Sequence, residues 1–489
     1  MINTYDLAIV GGGVNGAGIA RDAAMRGAKV LLLEGADLAS GTSSKSSKLV
    51  HGGLRYLEYR EFALVREALY ERATLWSIAP HIVWPMRFVL PVSRDMRPRW
   101  MLRAGLFLYD RLGGKGALPG ANGITLGKHP AGKHLTGHPS HGFEYSDCWV
   151  DDARLVVLNA KDAARHGADI RPRERVLEAR REGGFWHIRS EKGEYRAAAL
   201  VNAGGPGADD VAKLAGETPA YGIRRVRGSH IVVPRRLEHD FAYILQMPDT
   251  RIVFVLPYEQ GFTLIGTTDA DHTGSLDDVQ PSGEEVDYLL AAYNLHFDLP
   301  LLRADIRHSF AGVRALVDDG SGRPEAATRG YRLSLSGEGE GAPLLGVYGG
   351  KITSYRALAE EAVDHLAERL PVLSGVCRTA REPLPGGDFP RSAQHLVVRE
   401  IASAYPFLSE ADALRLTRAY GLDAVNWLGQ AKTREDLGRD FGCGLSEAEV
   451  DYMRREEWAE TVEDVLWRRS KLGLRLSEAG QAALGEYLG

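Results

Sequence analysis

Three scarcities in this 489-residue chain each exclude a class of protein. The only cysteines are Cys148, Cys377 and Cys443, and because they are far apart and odd in number we expect neither a disulfide framework nor a metal site. No apolar run is long enough for a transmembrane helix. The net charge of −5 offers no basic excess, so no nucleic-acid partner is expected.

What is present is typical of a multi-domain globular protein. The hydrophobic content of 44% and charged content of 26% are ordinary, and the length suits two or three domains. The N-terminus has no basic segment followed by an apolar stretch and a cleavage site, so we expect no secretory signal.

The N-terminal residues instead predict a nucleotide-binding unit. DLAIV (6–10) predicts a buried strand, a helix is predicted from about residue 17 to residue 26, and a second strand over 29–33 ends at Glu34. Between the first strand and the helix, the glycines of G-x-G-x-x-G allow a tight turn, close approach of a pyrophosphate and close helix–strand packing; they are Gly11, Gly13 and Gly16. Glu34 is placed to hold ribose hydroxyls and disfavours a 2′-phosphate.

The later sequence favours FAD over NAD. After Glu34 the chain continues as a loop rich in Ser, Thr and Gly rather than as alternating strands and helices. A helix over 155–167, a strand over 199–205 and a glycine-containing segment, 346–354, leading into a helix over 355–370 all read as pieces of a nucleotide domain. A domain assembled from separated segments suits a long, extended FAD.

The motifs together resemble a known family. GGGVNGAGIARDAAMRG, SSKSSKLVHGGLRYLE, LVNAGGPG, RGSHIVV, IGTTDAD, AGVRAL, GGKITSYR and EDVLWRRSKLGL follow the order found in FAD-dependent, respiratory glycerol-3-phosphate dehydrogenases. The resemblance implies an α/β fold: a glutathione-reductase-like Rossmann FAD domain built from discontinuous segments, a mixed α+β substrate domain and an α-helical C-terminal cap domain. The expected boundaries are 1–80, 150–220 and 341–384; 81–149 and 221–340; and 385–489.

The resemblance also implies the reaction and its partners. These are oxidation of sn-glycerol 3-phosphate to dihydroxyacetone phosphate by hydride transfer to non-covalent FAD, with electrons passed to a membrane quinone. No metal is expected. The expected location is cytoplasmic, peripheral on the inner face of the cell membrane.

Candidate site residues follow from the motifs and the resemblance. The substrate phosphate needs cations, and we assign it Arg55 and Arg314, with Lys351 near flavin or substrate. His230 is the candidate base, and Tyr56 and Thr268 are further substrate contacts. The expected cofactor contacts are Gly11, Gly13, Asn15, Gly16, Glu34, Thr42, Ser43, Ser44, Ser47, His51, Gly52, Gly53, Leu54, Ala203, Gly204, Gly350, Lys351, Ile352 and Thr353. We expect Gly52 and Gly53 to let the backbone lie close to the isoalloxazine plane.

Residues 87–115 are a candidate membrane face, with seven Lys or Arg against two acids. A helix is predicted over 99–111, where apolar and aromatic residues are flanked by arginines, as in interfacial helices on anionic lipid. The alternative is a helix buried under the cap domain. The resemblance favours the membrane and places quinone entry nearby.

The C-terminal region is predicted to be helical after a linker over 383–390. Ser446 and Glu449 predict a capping box. The region reads as a structural cap or a homodimer contact. The cluster Arg468, Arg469 and Lys471 reads either as a surface charge run or as a contact to the FAD domain.

Three alternative functions stay open at this point. A glycerol-3-phosphate oxidase would pass electrons to oxygen and would need no membrane face. An FAD-dependent amino-acid or hydroxy-acid oxidoreductase would need fewer phosphate-directed cations. A flavin-binding sensor without turnover would not need the site motifs.

Overall fold

The computed structural model describes residues 3–92, 98–113, 118–249, 251–318, 330–337 and 341–489. Its strands, in chain order, are β1 (Asn3–Val10), β2 (Val30–Leu33), β3 (Leu49–Val50), β4 (Val83–Val92), β5 (Asn122–Thr125), β6 (His141–Val150), β7 (Asp169–Arg171), β8 (Val176–Glu182), β9 (Phe185–Ser190), β10 (Glu194–Asn202), β11 (Ile223–Pro234), β12 (Ala242–Gln246), β13 (Ile252–Tyr258), β14 (Phe262–Gly266), β15 (Ala270–Asp271), β16 (His308–Val317), β17 (Tyr331–Ser336), β18 (Leu344–Gly349), β19 (Asp440–Gly442) and β20 (Leu445–Ser446). Its helices are α1 (Val14–Met25), α2 (Phe62–Ile78), α3 (Arg99–Leu112), α4 (Asp152–Arg165), α5 (Ala208–Leu214), α6 (Gly283–His296), α7 (Tyr355–Ala367), α8 (Gln394–Ala404), α9 (Glu410–Tyr420), α10 (Val425–Leu428), α11 (Glu447–Glu457) and α12 (Glu478–Leu488).

The first sheet has the strand order β17-β18-β10-β1-β2-β7. Its strands β18, β10, β1, β2 and β7 run parallel, and the antiparallel β17, β8 and β9 complete it. Strand β2, residues 7–10 of β1 and residues 197–201 of β10 are apolar because both faces of the sheet are covered there, and α1, α4 and α7 pack on one face. The carboxyl ends of β1, β10 and β18 therefore meet at one edge, where parallel α/β sheets bind ligands.

The second sheet has the order β15-β11-β14-β13-β12-β4-β6-β3, with β16 paired to β11 and β5 to β6. One apolar cluster of this sheet includes buried residues of α2 and α3, and another includes buried residues of α6. Capping supports α6, since Ser282 accepts from the N–H of Glu285 while the Glu285 side chain reaches back to the N–H of Ser282. His230 lies on β11 and Arg314 on β16, and β14 leads into residues 267–269.

The C-terminal part, from α8 onward, has its own apolar core of helical residues and one small antiparallel pair, β19 and β20. Ser446 caps α11 as predicted, accepting from the N–H of Glu449 at 3.4 Å. The predicted capping box is wrong in its second half. The Glu449 carboxylate is fully buried and accepts hydrogen bonds from Arg415 and from the Tyr420 hydroxyl. Leaving the Arg415 charge without this partner would cost more free energy than leaving the helix N-terminus without a capping carboxylate.

The predicted elements of the nucleotide domain are confirmed, with shifted ends. The helix predicted over 17–26 is α1, the one over 155–167 is α4, and the one over 355–370 is α7. The predicted helix over 99–111 is α3, whereas 93–97 and 114–115 of the basic segment lie outside the described residues. Within the described ranges, none of the helices combines the length and apolarity needed to cross a membrane.

Candidate functional site

The nucleotide turn joins β1 to α1 and needs its glycines. Gly11 has φ of +116°, and a Cβ there would lie 2.5 Å from the carbonyl oxygen of Ala203. A Cβ on Gly16 would lie 1.9 Å from the carbonyl oxygen of Gly11. Gly13 is the N-cap of α1 and supplies no capping side chain, and α1 has no acidic residue in its first turn. The helix end therefore offers N–H donors and a partial positive charge to an anion.

Glu34 lies beside this turn at the end of β2. One carboxylate oxygen accepts from the N–H of Gly12 at 2.7 Å and the other from the N–H of Ala36 at 2.8 Å. Burial raises the pKa of Glu34, and the two N–H donors oppose that rise. The carboxylate is thus held where it can accept from ribose hydroxyls.

The separated nucleotide segments meet at the same place. Asn15 donates to the carbonyl of Gly349 at 3.2 Å, and its own Oδ1 is buried with no hydrogen-bond partner in the part of the chain described. A Cβ on Gly350 would lie 3.2 Å from the Asn15 side chain. The N–H of His51 donates to Thr353 Oγ1 at 3.4 Å. Gly204 and Ile352 lie in the connections that follow β10 and β18.

The Ser/Thr-rich loop is tied to both sheets. The hydroxyl of Thr42 donates to the carbonyl of Val313 on β16 at 2.5 Å. Ser43 Oγ accepts from the N–H of Val14, the first residue of α1, at 3.0 Å. The loop therefore connects the pyrophosphate end of α1 with the second sheet.

A buried ion pair that sequence reasoning missed fixes the end of this loop. Lys48 is 1% exposed and has φ of +57°. Its ammonium donates to both carboxylate oxygens of Asp152 at 2.9 Å and to the carbonyl of Ser44 at 3.0 Å. Asp152 also accepts from the hydroxyl of Ser46 at 2.8 Å. The sequence did offer a signal for this pair, because Lys48 is the first residue of the motif KLVHGGLRYL, which also contains Arg55.

His230 is wedged between neighbouring strands of the second sheet. It lies opposite Gly266 of β14 and Phe310 of β16. Its ring stacks on Phe310 with centroids 4.9 Å apart, and its Nε2 is 2.9 Å from Ser47 Oγ. Its Nδ1 is buried with no hydrogen-bond partner among the described residues. The ring thus has one nitrogen held by the loop and one left for a bound group.

The surroundings of His230 favour the neutral imidazole. Burial lowers its pKa well below the ordinary value, and the positive charges of Arg314 and Lys48 lower it further. A neutral imidazole is the form that accepts a proton.

Arg314 on β16 is held at the end of β14. Its guanidinium pairs with the carboxylate of Asp269 and donates to Thr267 Oγ1 at 2.8 Å. It lies over Gly228, where a Cβ would be 2.3 Å from Nη2. The placement of Thr268 corrects the expectation of a substrate contact. Its side chain is 2% exposed, and its hydroxyl donates to Glu285, so Thr267 and Asp269 on either side are the residues that face the site.

Arg55 and its neighbours line a cavity of about 400 Å³ between the 3-10 turn Leu54–Leu57, α3 and the second sheet. The polar residues of its lining include His51, Arg55, Tyr56, Glu58, Gln246, Thr267 and Asp269. The remainder of the lining is largely apolar and includes Leu54, Leu57, Phe62, Leu90, Met101, Leu102, Leu108, Ile244, Ile252 and Phe254. Lys351 lies against Tyr56 of this lining, with its ammonium 3.9 Å from the centroid of the Tyr56 ring.

Gly52 and Gly53 are required by protein contacts. A Cβ on Gly52 would lie 2.6 Å from Leu69 and 2.8 Å from Tyr109, whose hydroxyl accepts from the N–H of Gly52 at 2.8 Å. Gly53 has φ of +73°, and a Cβ there would lie 2.2 Å from the Tyr56 ring. These protein contacts are sufficient to explain why both positions are glycine, so the two glycines are not by themselves evidence of an isoalloxazine ring beside the backbone.

The residues present fit a flavin adenine dinucleotide. The N-terminal end of α1 and the glycine turn suit a pyrophosphate, and Glu34 suits the adenosine ribose. The buried, unpartnered Asn15 Oδ1 and His230 Nδ1 suit further polar groups of bound molecules. The site is therefore that of an enzyme holding a dinucleotide at the edge of the first sheet, with His230 and Arg314 of the second sheet beside it.

Comparison with known proteins agrees with this class. Residues 6–356 match the FAD dependent oxidoreductase family, and residues 377–488 match the C-terminal domain of alpha-glycerophosphate oxidase. Glycerol-3-phosphate dehydrogenase of Pseudomonas aeruginosa is 52% identical, covering 100% of this chain and 96% of the relative. D-erythritol 1-phosphate dehydrogenase of Brucella abortus is 49% identical over 99% and 97%, and aerobic glycerol-3-phosphate dehydrogenase of Escherichia coli is 47% identical over 100% and 98%.

A solved structure of glycerol-3-phosphate dehydrogenase from Bacillus halodurans with FAD shares the fold, with a TM-score of 0.76 at 26% identity, covering 99% of this chain and 90% of that one. The chain is thus an FAD-dependent oxidoreductase in class. More narrowly, it belongs to the FAD-dependent glycerol-3-phosphate dehydrogenase family.

Proposed function

We propose that this protein oxidises sn-glycerol 3-phosphate to dihydroxyacetone phosphate and delivers the two electrons and two protons to a membrane quinone. The observation that carries this proposal is the convergence of a base, His230, and a phosphate-directed cation, Arg314, beside the dinucleotide site. The names of two relatives, at 52% and 47% identity, support the substrate.

Bound FAD supplies the acceptor for the hydride that leaves C2 of the substrate. Around it, the protein binds and orients the alcohol. Arg314 is held by Asp269 and Thr267 and presents its guanidinium to the substrate phosphate. Arg55 lines the cavity and Lys351 lies against Tyr56 of that lining, so both add positive charge there. His230 accepts the proton of the C2 hydroxyl, since its surroundings keep the imidazole neutral.

The apolar part of the cavity is the proposed quinone site. Its volume of about 400 Å³ and its aromatic and aliphatic lining suit a quinone ring. Tyr59, Phe62 and Met101 both line it and are exposed, so the cavity opens on the surface formed by α2 and α3. An apolar acceptor could enter there directly from a lipid bilayer.

We propose that the same surface rests on the membrane, at its cytoplasmic face. Leu102, Leu106 and Tyr109 of α3 are buried, whereas Trp100 is 72% and Phe107 59% exposed. Exposed aromatic side chains among arginines are typical of helices at an anionic interface; the arginines of α3 are Arg99, Arg103 and Arg111. This arrangement favours the interfacial interpretation over a helix buried beneath the C-terminal part.

The membrane proposal can be tested by vesicle flotation. Trp100→Glu is expected to reduce binding to vesicles containing anionic lipid, and raised salt should reduce binding of the wild type. Leu396→Glu is the matched control, because Leu396 is also exposed but lies on α8. Equal binding of the wild type and Trp100→Glu would remove α3 from the membrane surface.

We propose the three-domain division expected from the sequence, with residues 385–489 as a domain that docks on the FAD domain. The separate apolar core of the C-terminal part and the two large sheets support it. The second domain carries His230 and Arg314 on β11 and β16.

The experiment that tests the function is anaerobic reduction of the purified holoenzyme by sn-glycerol 3-phosphate. Rapid bleaching of the oxidised-flavin absorbance is expected, followed by recovery on adding a soluble quinone. Reoxidation by air at least as fast as by quinone would instead support an oxidase. A flavin that does not bleach with this substrate would refute the substrate assignment.

A second candidate substrate is D-erythritol 1-phosphate, because a 49%-identical relative carries that name. Both compounds are polyol phosphates and present the same phosphate and secondary alcohol to Arg314 and His230. Comparing kcat/KM for flavin reduction by the two substrates decides between them.

A further inference from the structure

The basic cluster near the C-terminus is buried. Arg468, Arg469 and Lys471 are 6%, 0% and 5% exposed, so they are not a surface charge run. They belong to a π-helical turn over Asp464–Arg469 and the two residues after it. Turns of this kind are rare and occur frequently at functional sites. We refer to residues 464–471 as the clamp segment.

The clamp segment holds Asp37 of the FAD domain with two guanidinium groups. Arg469 makes a bidentate pair with Asp37, at 2.6 and 2.8 Å, and Arg468 donates to the same carboxylate at 2.5 Å. Asp37 is itself 3% exposed. Charge-assisted, buried bidentate pairs of this kind fix geometry as well as adding energy.

Asp37 lies in the short loop that carries the proposed ribose contact. Glu34 begins this loop, and the N–H of Ala39 returns to the carbonyl of Gly12 at 3.2 Å. Leu38 packs against Gly12, because a Cβ added to Gly12 would lie 3.0 Å from the Leu38 side chain. Any motion of Asp37 therefore passes directly to Glu34 and to the pyrophosphate turn.

The clamp segment touches two more parts of the site's framework. Lys471 donates to Asp151, the N-cap of α4, at 3.0 Å, next to the Asp152 that holds Lys48. Trp467 stacks on His308 of β16 with ring centroids 3.9 Å apart. These contacts fix the clamp segment on both sides of the loop that it holds.

We propose that the clamp segment is a positioning element for FAD. By holding Asp37 it preorganises the loop that carries Glu34, and the C-terminal domain thereby influences the affinity of the FAD site. Preorganisation raises affinity because the loop loses less conformational freedom on binding. The proposal rests on the FAD site described above and is independent of the substrate.

The test compares two buried ion pairs that both join the C-terminal part to the FAD domain. Asp37→Asn removes the negative charge and one of the two acceptor oxygens of the clamp contact. Glu457→Gln removes the charge of the buried pair between Glu457 and Arg154 of α4, and it keeps the main-chain carbonyl to which Arg469 donates. The full-length apoprotein is titrated with FAD, and the dissociation constant, the FAD release rate and the thermal midpoint of each protein are measured.

Asp37→Asn is expected to raise the FAD dissociation constant at least 10-fold, mainly through faster release, while Glu457→Gln changes it less than 2-fold although both lower the thermal midpoint. If Asp37→Asn does not fold, Arg468→Gln leaves the bidentate Arg469–Asp37 pair in place and is expected to raise the constant at least 3-fold. Equal dissociation constants for the wild type and these clamp variants, or equal losses in Glu457→Gln, would overturn the proposal. A wild type that binds no FAD would instead refute the cofactor assignment.

Discussion

The assignment of His230 as the base can be tested by the substitution Gly266→Ala, which adds a methyl group next to the His230 ring. An alanine Cβ at position 266 would lie 2.1 Å from His230 Cδ2, whereas ordinary contact begins near 3.4 Å. The ring must therefore move by about 1.3 Å, because its other side is stacked on Phe310 at 4.9 Å and the surroundings are close-packed. A displacement of about 1 Å at a reacting group costs about 100-fold in rate. Gly266→Ala is expected to slow anaerobic flavin reduction by about that factor.

The assay is stopped-flow reduction under saturating substrate, with FAD affinity measured alongside. Because Gly266 lies in the second sheet and the nucleotide turn lies at the edge of the first, the FAD dissociation constant should change little. Gly123→Ala is the matched control, since Gly123 also lies in the second sheet and its Cβ would find its nearest atom at 3.8 Å. Reduction by Gly266→Ala within about 2-fold of the wild type would refute the assignment of His230 as the base.

Three other predictions follow from the same geometry. Arg314→Ala should raise KM for the phosphate substrate about 10- to 100-fold with FAD affinity unchanged, since a hydrogen bond to a charged group contributes about 1.5–3 kcal/mol; an unchanged KM would remove Arg314 from the phosphate site. His230→Ala should lower the reduction rate by about 100-fold or more and FAD affinity little, and in the wild type the rate should persist well below pH 6.5 because the pKa of His230 is lowered; a wild-type rate in the variant would exclude His230 as base. Buried His81 has its pKa lowered to about 3, so the unfolded chain binds more protons and the free energy of unfolding falls as pH drops below 6.5; His81→Gln should remove about 2 kcal/mol of the loss between pH 7 and pH 5 in denaturant titrations, and an identical pH dependence would contradict this.

Local sequence patterns were sufficient for the nucleotide turn. A strand, three spaced glycines, a helix and an acidic residue together are typical of a dinucleotide-binding turn. The conformation of each of these elements is set by residues only a few positions away in the sequence. The described β1, α1 and β2 follow the predicted order, and Glu34 reaches Gly12 as that pattern requires. Helix α3 was also predictable, because its apolar periodicity is a local property.

Side-chain direction within the motifs was not predictable in the same way. In GTTD the two hydroxyls and the carboxylate are adjacent in sequence, and only the strand pairing of β11 with β14 and β16 decides which of them face Arg314. Thr268 turned out to face Glu285, while Thr267 and Asp269 face the cavity. Residues 267–269 form the connection between β14 and β15, and the direction of each side chain there depends on a local backbone path that the sequence does not reveal.

The sequence by itself determined the cofactor class and the family, because those rest on local glycine chemistry and on motif order. Only the tertiary structure decided which long-range partners the charges have. Lys48 meets Asp152, and Arg468 and Arg469 meet Asp37, across separations of 104, 431 and 432 residues. Charges so far apart in sequence are paired by tertiary packing, within one domain for Lys48 and Asp152 and between domains for Asp37 and the two arginines. A buried charge without such a partner would be strongly destabilising.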